Sequence, residues 1–394
     1  MIVPKYMTGF KCIGGACEDN CCIGWDVDID KNTYIKYKNV THPQMKRELD
    51  KYIHINEDVY DESVNYAFAV LNPNKECSFL NADRLCMIQK HLGESYLSNV
   101  CSNFPRMTHK IDSVVERSAT PSCPEIARLL LLDPEAMTLM EIPTPKALPL
   151  LTYKIKQKDY AFRKSLVSFL MPIRNACLSI VQDINTPIEV DIKNLGRLID
   201  QLMKLERAHQ LAQTQETIDL FMSDLNRSKA LFTQPKRLFN PSDIASFMSF
   251  SDEIKEVLIS SGISDSKRFI TYNEMLNKDV TETGFYKYEQ FISDHPYFLK
   301  NLIANHIFRG LFPFSEGNNL EEAYWLLMSR FAIIKADLMK LASNPMFTFE
   351  VTEIVSYVQS FSKVIEHHKH FEDSVVMHFK KNNYKMNTLI KLSL

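Results

Sequence analysis

The sequence predicts a mainly α-helical protein that begins with an irregular, cysteine-rich metal-binding module. Eight of the nine cysteines lie in the first 123 residues, and five of the ten glycines precede residue 94. Beyond residue 150, apolar residues recur at the three- and four-residue steps of amphipathic helices. No clear period-2 strand series and no internal repeat is present. The predicted fold class is therefore mainly α, with an irregular cysteine-rich N-terminal module followed by a helical domain.

The bulk composition is that of a globular protein. A length of 394 residues predicts two or three domains, and 45% hydrophobic with 24% charged residues is enough to bury a sizeable core. The net charge of −2 provides no global basic field for nucleic acid or an anionic membrane. We therefore expect no nucleic-acid partner.

The amino terminus predicts a cytoplasmic location. Residues 1–7 lack the basic stretch and apolar run of a secretory signal, and no apolar run approaches the roughly 18 to 20 residues of a membrane span. In the cytoplasm thiols stay reduced unless a metal holds them. In a secreted protein the eight cysteines would instead form four disulfides, which is the alternative.

A domain boundary is predicted around residues 142–149, where three prolines break any helix. The cysteine-rich module then covers residues 1–141, where glycines supply the backbone freedom that wrapping a metal or cluster requires. The helical domain covers residues 150–394.

Three helices are predicted in this second part. Residues 195–203 and 351–365 carry apolar side chains on one helical face, and residues 323–341 are apolar on most faces, which predicts a central helix. Residues 240–243 and 293–296 each pair a capping residue with a proline, which predicts breaks between helices.

The cysteines fall into three segments, whose spacing predicts a metal site. Zinc and iron-sulfur clusters are both held by gathered thiolates. Two adjacent thiols do not easily serve one ion, so Cys21-Cys22 indicates a multi-iron cluster or a ligand beside a structural neighbour. The segments contain Cys12, Cys17, Cys21 and Cys22; Cys77 and Cys86; and Cys101 and Cys123.

About four of these eight cysteines are expected to be ligands, and the first choices are Cys17, Cys21, Cys22 and Cys101. The alternative for the others is a small buried hydrophobic residue, which is a common role of cysteine. Cys177 stands alone in a helical region and is expected in the core.

The cysteine segments resemble a known family. The pattern Cys-x4-Cys-x3-Cys-Cys, then Cys-x-Phe-Leu-Asn with a following Cys-x-Ile, then Cys-x-x-Phe-Pro-Arg is similar to that of cysteine-cluster proteins thought to chelate zinc or iron. Within that group, residues 92–98 and 305–314 and the overall length resemble flagellin lysine-N-methylases.

The resemblance implies an enzyme that methylates lysine side chains of flagellin with S-adenosylmethionine and holds a [4Fe-4S] cluster, or alternatively zinc. The radical spacing Cys-x3-Cys-x2-Cys is absent, since Cys22 follows Cys21 at once. No Gly-x-Gly occurs either, so a doubly wound cofactor-binding domain is not expected.

Three residues near the cysteines are candidates for binding that cofactor. The planar guanidinium of Arg106 is suited to bind a carboxylate through two hydrogen bonds. The ring of Trp25 is suited to stack on a cationic ligand, and the carboxylate of Asp26 is suited to pair with it. A salt bridge for Arg106 and a core position for Trp25 are the alternatives. His367, His368 and His370 have metal-ligand spacing, although a solvated helix end explains them as well.

Two other functions compete with the methyltransferase. One is a non-catalytic module in which zinc or iron supports a surface for a protein partner. The other is a redox or iron sensor with a labile cluster. The catalytic base is not identified by the sequence.

Overall fold

The computed structural model describes residues 1–145, 148, 150–162, 164–230, 237–261, 272–366 and 370–392. The chain divides into two compact units. The first contains Met1–Ala127 and Leu139–Lys154, and the second contains Arg128–Thr138 and Ile155–Leu394. The expected domains, 1–141 and 150–394, stay a prediction, because a compact unit is not by itself an independently folding domain.

The first unit contains a five-stranded sheet with the order β7-β1-β6-β5-β8. Its centre is the antiparallel pair β5–β6, which is joined by a tight turn with Asp112 at positive φ. Strand β1 runs parallel to β6 and antiparallel to β7. The strands are β1 (Ile2–Pro4), β5 (Arg106–Ile111), β6 (Val114–Ala119), β7 (Leu139–Glu141) and β8 (Tyr153–Ile155).

A smaller three-stranded antiparallel sheet has the order β2-β4-β3. Its buried face packs on a hydrophobic core that includes Tyr37, Met45 and Phe79. The strands are β2 (Val27–Ile29), β3 (Ile53–Ile55) and β4 (Ala67–Ala69). The helices from this part of the chain are α1 (Tyr6–Gly9), α2 (Lys31–Lys38), α3 (Pro43–Tyr52), α4 (Met87–Leu92), α5 (Asn99–Asn103) and α6 (Pro124–Leu131).

The two sheets were not predicted from the sequence. Six of the eight strands contain only three residues, and alternation over three residues cannot be distinguished from a loop. The cysteine-rich part is therefore more regular than expected, whereas the mainly helical fold class is confirmed by the second unit.

The second unit is built from helices. They are α7 (Leu170–Val181), α8 (Ile188–Arg207), α9 (Thr214–Ala230), α10 (Pro241–Ser260), α11 (Glu282–Asp294), α12 (Phe298–Arg309), α13 (Leu320–Ser343), α14 (Val351–Glu366), α15 (Phe371–Lys381) and α16 (Met386–Leu392).

Helix α13 is the central helix, as predicted. It is buried on nearly all faces, and α8, α10, α11 and α15 pack around it. The predicted helices at 195–203 and 351–365 are confirmed as parts of α8 and α14. The side chain of Asn240 caps α10, which has Pro241 at its first position, so this predicted break is also confirmed.

None of the described helices combines the length and the apolar character that crossing a membrane would require.

Candidate functional site

Backbone hydrogen bonds place the first two cysteine segments side by side. The amide of Cys77 donates to the carbonyl of Cys22 at 2.8 Å, and that of Gly24 donates to the carbonyl of Lys75 at 2.9 Å. The side chain of Asn20 reinforces the contact, because it accepts from the Cys22 amide at 2.8 Å and donates to the Arg84 carbonyl at 2.7 Å. Segments more than 50 residues apart in sequence are thus adjacent.

The third segment contributes Cys101, which lies in helix α5 and packs against the same hydrophobic core as Cys77. The Ser98 side chain caps this helix by accepting from the amide of Cys101 at 3.2 Å. The buried carboxylate of Asp30 joins α5 to α2, since it accepts from the amides of Asn99 at 2.9 Å and Thr33 at 3.0 Å. Cys101 is therefore held by two capping interactions.

Four cysteines pack against one hydrophobic core. Cys77 belongs to that core, and Cys22, Cys86 and Cys101 are partly buried against it. Cys21 is hydrogen-bonded to Cys22 through its side chain. The tertiary structure thus brings together members of all three segments that the sequence singled out.

The thiols influence one another's protonation. Burial raises the pKa of Cys77 to about 11 and that of Cys101 to about 12, and the neighbouring Cys86 and Cys21 raise both pKa values further. The hydrogen bond with Cys21, followed by burial, raises the pKa of Cys22. Without a nearby cation these thiols stay protonated at neutral pH, whereas a bound metal would convert them to thiolates.

Cys21 also links this group to two further cysteines, Cys17 and Cys123. Burial raises the pKa of Cys123 to about 12, with smaller contributions from Cys17 and Cys21, so these three are neighbours. Cys12 is exposed. Cys177 is fully buried in α7, which confirms its expected core position. All nine cysteines fall within the described residues, and none forms a disulfide.

The side chains of this group are thiols on three loops and short helices, and thiolates are the ligands that zinc and iron-sulfur clusters prefer. Among the described residues, however, no three His, Cys, Asp or Glu side chains stand in position to hold a metal ion. Four ligands of one zinc ion must meet at a single point about 2.3 Å from each sulfur. The thiolates of an iron-sulfur cluster bind different iron atoms and need not meet at a point.

Trp25 lies beside the first and third segments. Its indole N–H donates to the carbonyl of Cys21, and its ring lies 5.7 Å from the ring of Phe104. Trp25 is half-buried and Asp26 is exposed. The indole is thus positioned by the cysteine segment but is not a core residue.

Arg106 begins strand β5, directly after Phe104 and Pro105. Its guanidinium lies over the ring of Phe10 at 4.9 Å, two residues before Cys12. Among the described residues no carboxylate lies within ion-pair distance of Arg106, so the expected alternative of a salt bridge is not observed there. The side chain keeps its capacity to bind an anion.

The metal site considered for His367, His368 and His370 stays a prediction. His367 and His368 lie outside the described residues, and His370 is exposed directly before α15.

The second unit contains a buried charge cluster that the sequence did not predict. The ammonium of Lys335 donates to the Glu189 carboxylate at 2.7 Å, and Arg237 donates to it at 2.8 Å. Burial tends to raise the pKa of Glu189, but the two cations outweigh burial and lower it to about 2. Burial lowers the pKa of Lys335 to about 8 against the opposing effect of Glu189. A sequence signal existed, since a lysine in an otherwise apolar helix needs a buried partner.

A cleft of about 390 Å³ opens at the start of α14. Its walls include the aromatic rings of Tyr272 and Phe347, and the carboxyl groups that line it belong to Glu350 and Glu353. Both glutamates are exposed, and neither has a basic partner among the described residues. Aromatic faces and carboxylates are the groups that attract an ammonium ion.

A second cleft of about 280 Å³ lies between α8 and α9. Its lining includes both Lys229 and Asp224, which form ion pairs at 3.0 Å with Asp183 and Arg227 respectively. The lining also contains the cation Arg197, so this cleft carries no comparable preference for a cation.

A comparison with protein families matches residues 174–392 to the FliB lysine N-methylase C-terminal domain. The match covers most of the second unit, and it leaves the eight amino-terminal cysteines outside. No solved structure matches the chain.

Among curated proteins, the chain is 32% identical over 212 residues to a lysine-N-methylase of Salmonella typhimurium strain LT2 and 31% identical over 212 residues to one of Salmonella choleraesuis. Each alignment covers 53% of this chain and 49% of the relative, so the chain spans about half the length of these relatives. It is also 38% identical over 141 residues to the flagellar biosynthetic protein FliU of Salmonella muenchen, covering 35% of this chain and 80% of that protein.

Proposed function

Because this chain belongs to the FliB lysine N-methylase family, we propose that it transfers methyl groups from S-adenosylmethionine to lysine side chains of flagellin. The match to the family's C-terminal domain is the observation that carries the proposal. The names of the relatives, lysine-N-methylase and a flagellar biosynthetic protein, support the reaction and the substrate. A cytoplasmic site of action is part of this proposal.

The cysteine group is proposed to hold a [4Fe-4S] cluster. Cys22, Cys77, Cys86 and Cys101 are the proposed ligands, because they pack on one core and their thiol pKa values are raised by burial and by one another. Cys21 is an alternative to Cys22. When bound, the cluster would supply positive charge that stabilises these thiolates.

The proposed contacts of the cofactor lie in the first unit. S-adenosylmethionine supplies an electrophilic methyl group on a sulfonium. The guanidinium of Arg106 is proposed to bind its carboxylate, since bidentate pairing of arginine with a carboxylate is strong and directional. The indole face of Trp25 and the carboxylate of Asp26 are proposed to contact its positive end.

We propose that the cleft at the start of α14 is a docking position for lysine side chains of flagellin on the second unit. A lysine amine accepts a methyl group only when it is neutral, and its ordinary pKa is about 10.4. Glu350 and Glu353 would attract the incoming ammonium, and the rings of Tyr272 and Phe347 would favour the same charged form. The cleft is therefore proposed to bind the lysine before it loses its proton, and the group that accepts that proton is not assigned.

The decisive experiment joins two measurements on protein purified without oxygen. Iron and acid-labile sulfide are assayed with the visible spectrum, and the mass of flagellin is measured after incubation with S-adenosylmethionine. We expect about four irons and four sulfides per chain for the proposed cluster, and steps of one methyl group on flagellin.

The two alternatives give different results. A zinc-supported binding module would contain zinc, lack the visible absorption of iron and sulfide, and leave the mass of flagellin unchanged. An iron sensor would contain the cluster and still leave flagellin unmodified. Either result contradicts the methyltransferase proposal.

A further inference from the structure

Strands β5 and β6 place two arginines on one face of the sheet. The register pairs Arg106 with Ala119 and Thr108 with Arg117, so Arg106 and Arg117 are diagonal neighbours. Diagonal neighbours in an antiparallel pair lie about 7–8 Å apart at the backbone, within reach of long side chains. Arg117 was not singled out by the sequence, because it lies 11 residues from Arg106 and its position opposite Thr108 depends on the strand register.

Neither guanidinium has a carboxylate partner in the part of the chain that the structure describes. Arg106 lies over the ring of Phe10 at 4.9 Å, and the Nε of Arg117 donates to the hydroxyl of Thr108 at 2.9 Å. Both arginines are half-buried. Burial, and then the charge of Arg106, lower the pKa of Arg117, which shows that the two cations repel each other. An anion between them would offset both the repulsion and the loss of hydration.

The surroundings indicate an organic anion. Phe10 lies two residues before Cys12, and Phe104, which contacts Trp25 at 5.7 Å between ring centroids, lies two residues before Arg106. The two arginines therefore lie near aromatic residues that are close in sequence to the cysteines. A ligand held here would meet two guanidinium forks and aromatic surface together, which suits a carboxylate attached to a larger molecule.

We propose that Arg106 and Arg117 form a two-arginine carboxylate subsite on the β5–β6 face, and that it binds the carboxylate of the S-adenosyl cofactor. The assignment of the ligand rests on the proposed function. The new element is Arg117, which acts with Arg106 as a binding residue and is held in place by Thr108.

The test measures binding and not turnover. S-adenosylhomocysteine and its decarboxylated analogue, which differ only in the carboxylate, are titrated calorimetrically into the full chain. The variants are Arg106→Met and Arg117→Met, and Lys110→Met is the matched control, since Lys110 is a cation on the same face of β5 but further along the strand. Thermal unfolding verifies that each variant is folded.

Each arginine substitution is expected to weaken binding of S-adenosylhomocysteine about 10- to 100-fold, as for the loss of a charge-assisted hydrogen bond. Binding of the decarboxylated analogue should change little, and Lys110→Met should affect neither ligand. If Arg117→Met does not fold, Arg117→Lys replaces it, because it keeps the charge but removes the fork and should still weaken only the carboxylate-bearing ligand.

Two results would overturn the subsite and can be told apart. Unchanged affinity in the arginine variants, with binding by the unmodified chain, would refute the subsite and leave the proposed cofactor intact. Failure of the unmodified chain to bind S-adenosylhomocysteine, with arginine-dependent stabilisation by phosphate alone, would refute the ligand assignment and the proposed cofactor together.

Discussion

Lys335 and Glu189 form an ion pair of 2.7 Å in the interior of the second unit, where both side chains are almost completely buried. The pair joins the central helix α13 to the first turn of α8. Arg237 contacts the same carboxylate, and the hydroxyl of Tyr288 is fully buried nearby with no hydrogen-bond partner among the described residues. A cluster of this kind stabilises the unit only while its charges remain balanced.

Removing one partner of this pair should destabilise the second unit. Lys335→Met leaves Glu189 buried with Arg237 as its remaining cation, and we expect a loss of about 1.5–3 kcal/mol in the free energy of unfolding, less than for a buried charge with no cation at all. The chain has two tryptophans, so urea unfolding of Trp25→Phe proteins reports on the buried Trp325 of this unit. The control Lys204→Met breaks an exposed pair with Asp200 and should cost at most about 1 kcal/mol. Equal effects of the two substitutions would contradict the prediction.

The same carboxylate should make the second unit sensitive to acid. In the folded chain the pKa of Glu189 is about 2, below the ordinary value of 4.5, so the unfolded chain binds this proton first as the pH falls. The stability due to Glu189 is therefore present above pH 4.5 and lost toward pH 2, by roughly 3 kcal/mol in total. Unfolding measured between pH 6 and pH 3 should show this slope, and Glu189→Gln should reduce it. A slope that Glu189→Gln leaves unchanged would assign the effect to other groups.

Substitution of the grouped cysteines should remove the cluster. Cys77→Ser and Cys101→Ser are each expected to lower iron and sulfide content by more than half, because a cluster with three thiolates is easily lost. Cys177→Ser is the control, since Cys177 is buried in α7 of the other unit. The measurement is metal and sulfide analysis of protein prepared without oxygen. Full iron content in both variants would exclude these residues as ligands.

The carboxylates of the α14 cleft should matter for the lysine substrate. Glu353→Gln and Glu350→Gln are expected to raise KM for flagellin about 3- to 10-fold, since each removes a charge that attracts the ammonium ion. The value of kcat should change less. Glu256→Gln is the control, because Glu256 is an exposed glutamate of α10. An unchanged KM in both cleft variants would remove the cleft from the proposed mechanism.

Gly284 should not tolerate a side chain. A Cβ at this position of α11 would lie 2.6 Å from the Cα of Ser343 at the end of α13, a distance that real Cβ atoms do not adopt. Gly284→Ala must therefore separate the two helices, and we expect a loss of about 1–3 kcal/mol. Gly15→Ala is the control, since its nearest neighbour would be at 3.4 Å. Thermal unfolding of both variants tests the difference, and similar midpoints would contradict the close approach.

The sequence by itself determined the helical fold class and several helices. The apolar periodicity that predicted α8, α13 and α14, and the caps at residues such as Asn240, act between residues that are neighbours along the chain. It also identified the cysteine-rich segments and the family, because residue types and short spacings are visible in one dimension.

The tertiary structure alone decided the groupings between distant segments. The pairing of β1 with β6 brings Ile2 to Glu116, the strand register brings Arg117 to the face of Arg106, and the backbone bonds of Cys77 to Cys22 select which thiols meet. Glu189 and Lys335 are 146 residues apart, and in the sequence each looks like an ordinary charged residue of a helix. Only the folded structure buries them together. Such contacts depend on the packing of whole elements, and the energy that forms them is not encoded in any local pattern.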